Sequence, residues 1–580
     1  MLPHFRGGRG QVTIMEKRIG VYICHCGGNI SDYVDVEKVR QSVENDDNIV
    51  LAKTTMFACS DANQKDMVDD INNFNLDGVI VASCSPKLHL VTFRNVTERG
   101  NLNKYTYVHS NIREQASWAH SDNKEGATEK AIHLVKSAIA KARHTQPLDP
   151  TKIKAEKSVA VIGAGIAGLK AALSLSEKET HVFVIEKEAA VGGWVAKWKD
   201  LFLTDETGDA IIKRLYEELK KRQNVTIFLN SEVVGNTGSI GKISLKIKQK
   251  EEEFDITVGS VLVATGFEPY KPKEDEFGFA SVPNVITLPE FKQLIDHEKN
   301  TLTYNGKPVH NIAYIYCVGS RQPEGENTYC SRYCCTATIH AANQVRNKFR
   351  DIQNYHFTRG VRSYGKQELL YAESLQGGDI YLQSYEDGLP TVFARNNKPV
   401  VRVNDILTGG KELEVEADLV VLVTGMAPRS DNKVGSLFKL PKGRDKFFNE
   451  IHMKLRPVET VIDGVTIAGA CQGPKTIIET VNSALSAATK AYSNISKGVL
   501  ETDPQIAKIE APACIGCSDC LPACPFDAIS MARQGGKSIA VINNSLCKGC
   551  GMCTPVCPTD AIDLIAYSNV EIMGMIDALV

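Results

Sequence analysis

Three apolar runs in the first 144 residues each end on cysteine: "RIGVYIC", "IVLAKTTMFAC" and "DGVIVASC", separated by the amphipathic stretches "DVEKVRQSV" and "QKDMVDDINNF". Short β-branched runs alternating with helical-period segments predict an α/β domain with a parallel sheet. "ATEKAIHLVKSAIAKAR" (127–143) has apolar residues at 131, 132, 135, 138, 139 and 142, the stripe of a helix turned to a core. "HTQPLDPTKIKAEK", with two prolines and alternating charge, reads as a linker. Next, "KSVAVIGAGIAGLKAALSLS" predicts strand, glycine turn and helix, and "HVFVIEKE" a second strand. "SVLVATGFEP" (260–269) recurs in degenerate form as "LVVLVTGMAP" (419–428), and "DGVTIAGACQGPKTIIETVNSALSAA" (463–488) predicts strand, small-residue turn and helix.

Composition narrows the classes. The 580 residues exceed one core and predict several domains. Lys plus Arg (67) nearly balance Asp plus Glu (69), so a net charge of −2 gives no footprint for nucleic acid or an anionic membrane. No run approaches the ~18 apolar residues of a membrane span, and the N-terminus lacks the apolar core of a secretory leader. The expectation is a cytoplasmic protein without direct membrane insertion. "MLPHFRGGRGQVTI" reads as a disordered extension.

Seventeen cysteines in such a chain argue for metal or redox work rather than a disulfide framework. They cluster as Cys24, Cys26, Cys59 and Cys84; then Cys317, Cys330, Cys334 and Cys335; then eight from Cys514 to Cys557, with Cys471 alone. Sets of four and eight match four-thiolate iron-sulfur ligation. "CIGCSDCLPACP" and "CKGCGMCTPVCP" each carry C-x2-C-x2-C-x3-C-P, in which the fourth Cys ligates the other cluster. Cys514, Cys517, Cys520 and Cys557 are therefore expected to hold one 4Fe-4S cluster, and Cys547, Cys550, Cys553 and Cys524 a second; a zinc ribbon is the bland alternative.

In the central region Gly163, Gly165 and Gly168 form G-x-G-x-x-G, and Glu186, with Lys187 beside it, ends the second strand, where a carboxylate accepts the ribose hydroxyls of an adenine dinucleotide. The pyrophosphate is expected at the helix N-terminus. Gly192 and Gly193 of "VGGWVAKW", Thr265, Gly266 and Gly469 are expected to flank the rest of an FAD. Cys471 either touches the flavin or packs in the core. The element order is that of two-dinucleotide-domain flavoprotein disulfide reductases. Where such enzymes have a second glycine fingerprint for NAD(P)H, this chain has "IAYIYCVGSR", with only Gly319 left and Cys317 in the turn. Cys317, Cys330, Cys334 and Cys335 either wrap a cubane or supply a redox dithiol, including a vicinal Cys334–Cys335 disulfide. For Cys24, Cys26, Cys59 and Cys84 a cluster at the strand ends is preferred over zinc or buried free thiols. In "NIREQASWAH", Arg113, Trp118 and His120 form a cluster edge, a partner surface or a packed corner.

The strings "IGVYICHCGGNI", "MFACSDANQ", "VASCSPKLH", "NIREQASWAH", "CVGSR", "CSRYCC" and "AGACQGPK", spread over residues 17–566, resemble the A-type subunits of heterodisulfide reductase, an FAD-containing iron-sulfur family of methanogens and many anaerobes. The resemblance implies one FAD at a thioredoxin-reductase-like core and a cluster on Cys317, Cys330, Cys334 and Cys335, which with those expected above makes four 4Fe-4S clusters in all. It implies B- and C-type partner subunits, ferredoxin, and a hydrogenase, formate dehydrogenase or NADH-module adaptor, with a homodimer inside a larger complex. Disulfide cleavage would lie on a partner, and no catalytic side chain is expected here. About 60 residues without cysteine separate "VGGWVAKW" from "VLVATG", so the ferredoxin inserted there in the longest family members is missing. The expected plan is a disordered extension (1–16), an N-terminal α/β iron-sulfur domain (17–144), a linker (145–157), an FAD-binding domain in two parts (158–280 and 456–498) around a degenerate nucleotide domain carrying a cluster (281–455), and a ferredoxin domain with tail (499–580). Flavin-based electron bifurcation or confurcation linked to ferredoxin is the expected function; the alternatives are a non-bifurcating electron hub and an NAD(P)H-dependent disulfide reductase.

Overall fold

The computed structural model describes residues 17–202, 204, 206–298, 300–349 and 351–579. The disordered extension expected for 1–16 lies outside them. The chain forms two compact units, residues up to 152 with those from 501, and residues 153–500. No helix among the described residues is long and apolar enough to cross a membrane.

In the first unit, strands Ile19–Cys24, Ile49–Thr55, Gly78–Ser83 and Tyr107–Asn111 form a parallel sheet in the order second, first, third, fourth. The two central strands are buried at every residue, as parallel strands covered on both faces must be. Asp35, Ser60 and Ser85 cap the helices Val36–Val43, Asp61–Asn73 and Pro86–Arg99 with side-chain oxygens. Helix Lys124–His144 buries Ala131, Val135, Ala138, Ile139 and Ala142 of the expected stripe, with Ile132 at its margin. The C-terminal part is two small antiparallel pairs, Ala507–Ile509 with Ile562–Leu564 and Ile529–Gln534 with Lys537–Ile542. Its central buried cluster is Ala507, Cys520, Ile529, Ala540, Cys553 and Ile562. So small a cluster needs staples. The tail is a capped helix, Asn569–Asp577, seated on helix Lys124–His144: Thr145 donates to Glu571 at 3.3 Å, and Lys141 Nζ lies 3.3 Å from the Tyr567 ring centre.

The second unit holds two five-stranded parallel sheets. The first runs Val465–Ile467, Ser260–Val263, Ser158–Ile162, His181–Ile185, Val225–Phe228; the second runs Val285–Thr287, Leu419–Thr424, Asn311–Val318, Gln353–Thr358, Ile380–Gln383. Each has its own three-stranded antiparallel sheet. The degenerate repeat has a structural meaning: Ser260–Val263 and Leu419–Thr424 each lie beside the first strand of their sheet, and the residues just after them pair as Glu268–Pro269 with Met426–Ala427. The return to the first sheet's core comes earlier than the expected 456. Val434, Leu437, Phe438, Leu440 and Phe448 already pack with Ile162, Ile185 and Val261. Only long-range packing assigns this short irregular stretch to a core.

Candidate functional site

The first sheet builds a cradle in which each glycine has a separate task. Gly163, at φ +102°, passes so close to the neighbouring strand that a Cβ would lie 2.5 Å from Ala264 O, and a Cβ on Gly168 would lie 1.8 Å from Gly163 O. A Cβ on Gly165 would meet nothing within 4 Å. The space above it is open, and helix Ile166–Ser176 begins there without a side-chain cap, its free N–H groups suited to an anion. Glu186 is buried at the end of the second strand; its Oε2 accepts from Ala164 N at 2.7 Å and its Oε1 from Glu188 N at 3.0 Å. Each oxygen keeps a further lone pair for a hydroxyl. Gly192 donates to Ala164 O at 2.8 Å and so brings Gly193 over Gly165. These residues fit an adenine dinucleotide.

Beyond the cradle, Thr265 Oγ1 accepts from Asn432 Nδ2 at 2.9 Å, and Gly266, Asn432, Phe447 and Cys471 line a cavity with about 220 Å³ of non-protein space. Gly469, at φ +74°, opens the turn before helix Ile477–Ile495 and donates to Ser483 Oγ at 3.2 Å. Cys471 is buried, its thiol donates to Ala468 O at 3.1 Å, and burial raises it above the ordinary thiol range. Lys187, expected among the cofactor-binding residues, pairs with Asp431, which also accepts from Arg429 Nε at 2.9 Å. The hydrogen bonds from these two cations hold Asp431 well below the usual carboxylate range. The chain after Met426–Ala427 supplies this carboxylate, and nothing local to Lys187 announces it.

In the second sheet the equivalent turn is filled. Cys317 and Gly319 have φ of +62° and +64°, and a Cβ on Gly319 would lie 2.0 Å from the Tyr270 ring. An aromatic side chain therefore lies where a pyrophosphate would rest. Cys334 and Cys335 are the first residues of helix Cys334–Lys348, where the helix dipole favours thiolate. Cys330 Sγ accepts from Arg332 N at 3.4 Å. The loop that carries it is pinned back by Tyr329 to Met426 O at 2.9 Å, Tyr333 to Thr424 O at 3.0 Å, and Met426 N to Ser331 Oγ at 2.9 Å. All seventeen cysteines are free, so no vicinal Cys334–Cys335 disulfide is present. Cys334 donates to Cys335, which lowers the Cys335 thiol to about 7. Burial pushes Cys317 up, and Arg359 and Arg321 oppose it.

At the first sheet order reversal of the N-terminal domain the strand ends deliver Cys24, Cys26, Cys59 and Cys84 to one edge. Left-handed Cys26, Gly27 and Gly28 turn the chain back, and the Phe57 ring covers Gly27, where a Cβ would approach within 2.6 Å. Ala58 N donates to Cys24 Sγ at 3.4 Å, and Arg113 Nη1 to Cys26 Sγ at 3.4 Å. "NIREQASWAH" thus divides: Arg113 faces the thiols, Ala116 and Ser117 are buried, Trp118 is an exposed ring stacked on Arg113 at 4.5 Å, and His120 meets Lys130 at the surface.

In the C-terminal part, burial raises Cys520 and the neighbouring thiols of Cys517, Cys514 and Cys557 raise it further. Cys553 is raised to about 11 by burial and by Cys547, Cys550 and Cys524. The fourth cysteine of each loop therefore stands with the other loop's three. Backbone N–H groups of Ala507, Ala528 and Ala561 donate to Cys547, Cys524 and Cys557 at 3.4, 3.3 and 3.3 Å. Such N–H···S bonds, present in every cysteine set, stabilise thiolate ligands. Among the described residues no three His, Cys, Asp or Glu converge closely enough for a single metal ion. Cys514, Cys517, Cys520 and Cys557 line a cavity with about 340 Å³ of non-protein space. Tyr270 and Arg359 were not foreseen, because nothing in their local sequence links them to residues 317–335.

Two family models match, pyridine nucleotide-disulphide oxidoreductase over residues 157–303 and 4Fe-4S dicluster domain over 513–561. The chain is 32% identical to an A-type iron-sulfur subunit of the CoB–CoM heterodisulfide reductase of Methanopyrus kandleri, over 90% of this chain and 92% of the relative. It is 33% identical to the A-type subunit of the H2:CoB-CoM heterodisulfide,ferredoxin reductase of Methanothermobacter marburgensis, over 90% and 91%. Among solved structures, the thioredoxin reductase of Lactococcus lactis is similar over 59% of this chain and 99% of its own, with a TM-score of 0.41 and 17% identity.

Proposed function

Because the chain belongs to the family of A-type heterodisulfide reductase subunits, an oxidoreductase family of flavin and iron-sulfur electron-transfer proteins, we propose that it binds one FAD and four 4Fe-4S clusters and takes part in flavin-based electron bifurcation or confurcation with ferredoxin. Bound FAD supplies the exchange between electron pairs and single electrons, and the clusters carry the single electrons. The chain's own residues do the rest. The open space over Gly165 and the uncapped helix Ile166–Ser176 receive the pyrophosphate, Glu186 orients the ribose, and Gly192 and Gly193 admit the ring system. Cys317, Cys330, Cys334 and Cys335 hold one cluster, Cys24, Cys26, Cys59 and Cys84 another, and the eight C-terminal cysteines two more. The chain acts in the cytoplasm within a complex of B- and C-type subunits, where a partner cleaves the disulfide. The names of relatives such as the A-type member of the ferredoxin/F420H2-dependent CoB-CoM heterodisulfide reductase of Methanosarcina acetivorans support ferredoxin as an electron partner.

The observation that carries this reading is the Tyr270 ring on Gly319 beside Cys317: the dinucleotide turn of the second sheet is filled, with a buried cysteine in the turn itself. Iron and flavin analysis of anaerobically purified protein tests it. About sixteen irons and one FAD per chain are expected from four-thiolate ligation; about eight irons would leave only the C-terminal clusters. Strongly crossed one-electron flavin potentials are expected for bifurcation, whereas a stable one-electron flavin form would make the chain a simple electron hub. Bleaching of the flavin by NAD(P)H in the isolated chain would overturn the reading in favour of a pyridine-nucleotide disulfide reductase.

A further inference from the structure

Two arginines beside Cys317 are locked to one another by their own backbones. Arg321 Nη1 donates to Arg359 O at 2.9 Å, Arg359 Nη1 donates to Arg321 O at 2.8 Å, and Arg359 Nη2 donates to Ser320 O at 2.9 Å. Their side chains are 13% and 5% exposed, yet the one carboxylate they share, Glu386, is 64% exposed and solvated. Arg359 Nε is buried without a partner. Burying two guanidinium groups against one exposed carboxylate is costly unless negative charge stands nearby. The carbonyls that Arg359 grips, Ser320 O and Arg321 O, lie three and four residues after Cys317 in the same turn. The clamp closes the loop after Gly319 onto the end of strand Gln353–Thr358, so it is positioned by the sheet rather than by flexible side chains.

We propose that Arg321 and Arg359 form a buried cationic clamp that raises the reduction potential of the iron-sulfur centre on Cys317, Cys330, Cys334 and Cys335, with Glu386 as its exposed counterweight. The inference rests on the reading of these four cysteines as cluster ligands. Taking up one electron adds one negative charge to the centre, and fixed buried positive charge favours the more negative state. Arginine keeps its proton throughout the working pH range, so the bias is independent of pH. Both arginines are positioning residues: they act on the centre through the field at its ligands. Within and between the C-terminal ligand loops 514–524 and 547–557 the basic residues are Arg533, Lys537 and Lys548, and no arginine lies inside either loop. The clamp therefore separates the potential of the central cluster from those of the C-terminal clusters.

The test uses the full-length protein, prepared anaerobically with iron and sulfide, in redox titrations followed by electron paramagnetic resonance. Cys330→Ser identifies the signal of the central cluster by its loss, together with four irons. Arg359→Gln is expected to shift that signal to lower potential, Arg359→Lys to keep it close to wild type, and Glu386→Gln to shift it to higher potential. The C-terminal signals stay in place, and the shifts are equal at pH 6.5 and 8.5. If Cys330→Ser removes neither iron nor signal, the ligand reading fails and the clamp loses its object. If Cys330→Ser removes the signal but Glu386→Gln leaves its potential unchanged or lowers it, the cluster stands and the clamp is refuted. Should Arg359→Gln fail to fold or to hold iron, Glu386→Gln, a change at an exposed side chain, decides alone.

Discussion

The C-terminal cysteine loops and the central set at Cys317–Cys335, both proposed as cluster ligands, are built in opposite ways. The loops bring cysteines together within twelve residues of sequence each, on a part of the chain whose central buried cluster is six small or medium-sized residues, two of them thiols. The central set is placed by a five-stranded sheet with a large core of its own, by tyrosines pinning the ligand loop, and by a helix N-terminus. On the proposed reading the metal centres would complete the core of the first region, whereas the core of the second exists without one. Stability should therefore depend on iron in one place and hardly at all in the other.

That contrast can be broken most directly by removing ligands. Replacing both Cys520 and Cys553 with Ala is expected to cost about eight irons and to leave residues from about 501 onward sensitive to protease, whereas Cys330→Ser costs about four irons with unchanged far-UV circular dichroism. Equal proteolysis of the two variants would remove the distinction.

The inserted domain's independence from iron is sharpened by its buried carboxylate. Asp379 accepts from Arg346 at 2.7 Å, Ser374 at 2.5 Å and Asn354 at 2.9 Å, and lies 3.7 Å from His356. Burial pushes this group up, but the hydrogen bonds win and hold it at about 2. Because the folded value is depressed, the group stabilises the domain above the ordinary carboxylate range and loses that contribution as pH falls toward about 2. Asp379→Asn takes the carboxylate charge away from Arg346 and is expected to cost about 3–5 kcal/mol, read in denaturant unfolding at pH 7, with a smaller difference from wild type at pH 3.

A third effect concerns ligand rather than fold. Gly165→Ala adds a methyl to open space, so stability should change by less than about 0.5 kcal/mol while flavin retention on gel filtration falls. Loss of stability with retained flavin would place the cofactor elsewhere. The smallest expected effect is at the C-terminal helix: Ser568 accepts from Glu571 N at 3.3 Å, and Ser568→Ala should cost about 1 kcal/mol, seen as faster hydrogen exchange in residues 569–577.

Much of this protein is decided locally. Spacing of cysteines, glycines at the turn 163–168, period-two and period-3.6 patterns, and the repeated strand before a Thr-Gly pair are short-range features, and each records a local demand of backbone or ligand geometry. The crossing of Cys524 and Cys557 belongs with them, since the spacing itself requires it. What only the tertiary structure decides is which distant group fills a place: Tyr270 over Gly319, Asp431 taking Lys187, Arg359 beside Cys317, and residues 434–448 in the first sheet's core. These contacts join segments tens to hundreds of residues apart, so their energy depends on complementarity between surfaces that folding alone brings together, and no periodicity or spacing along the chain encodes it.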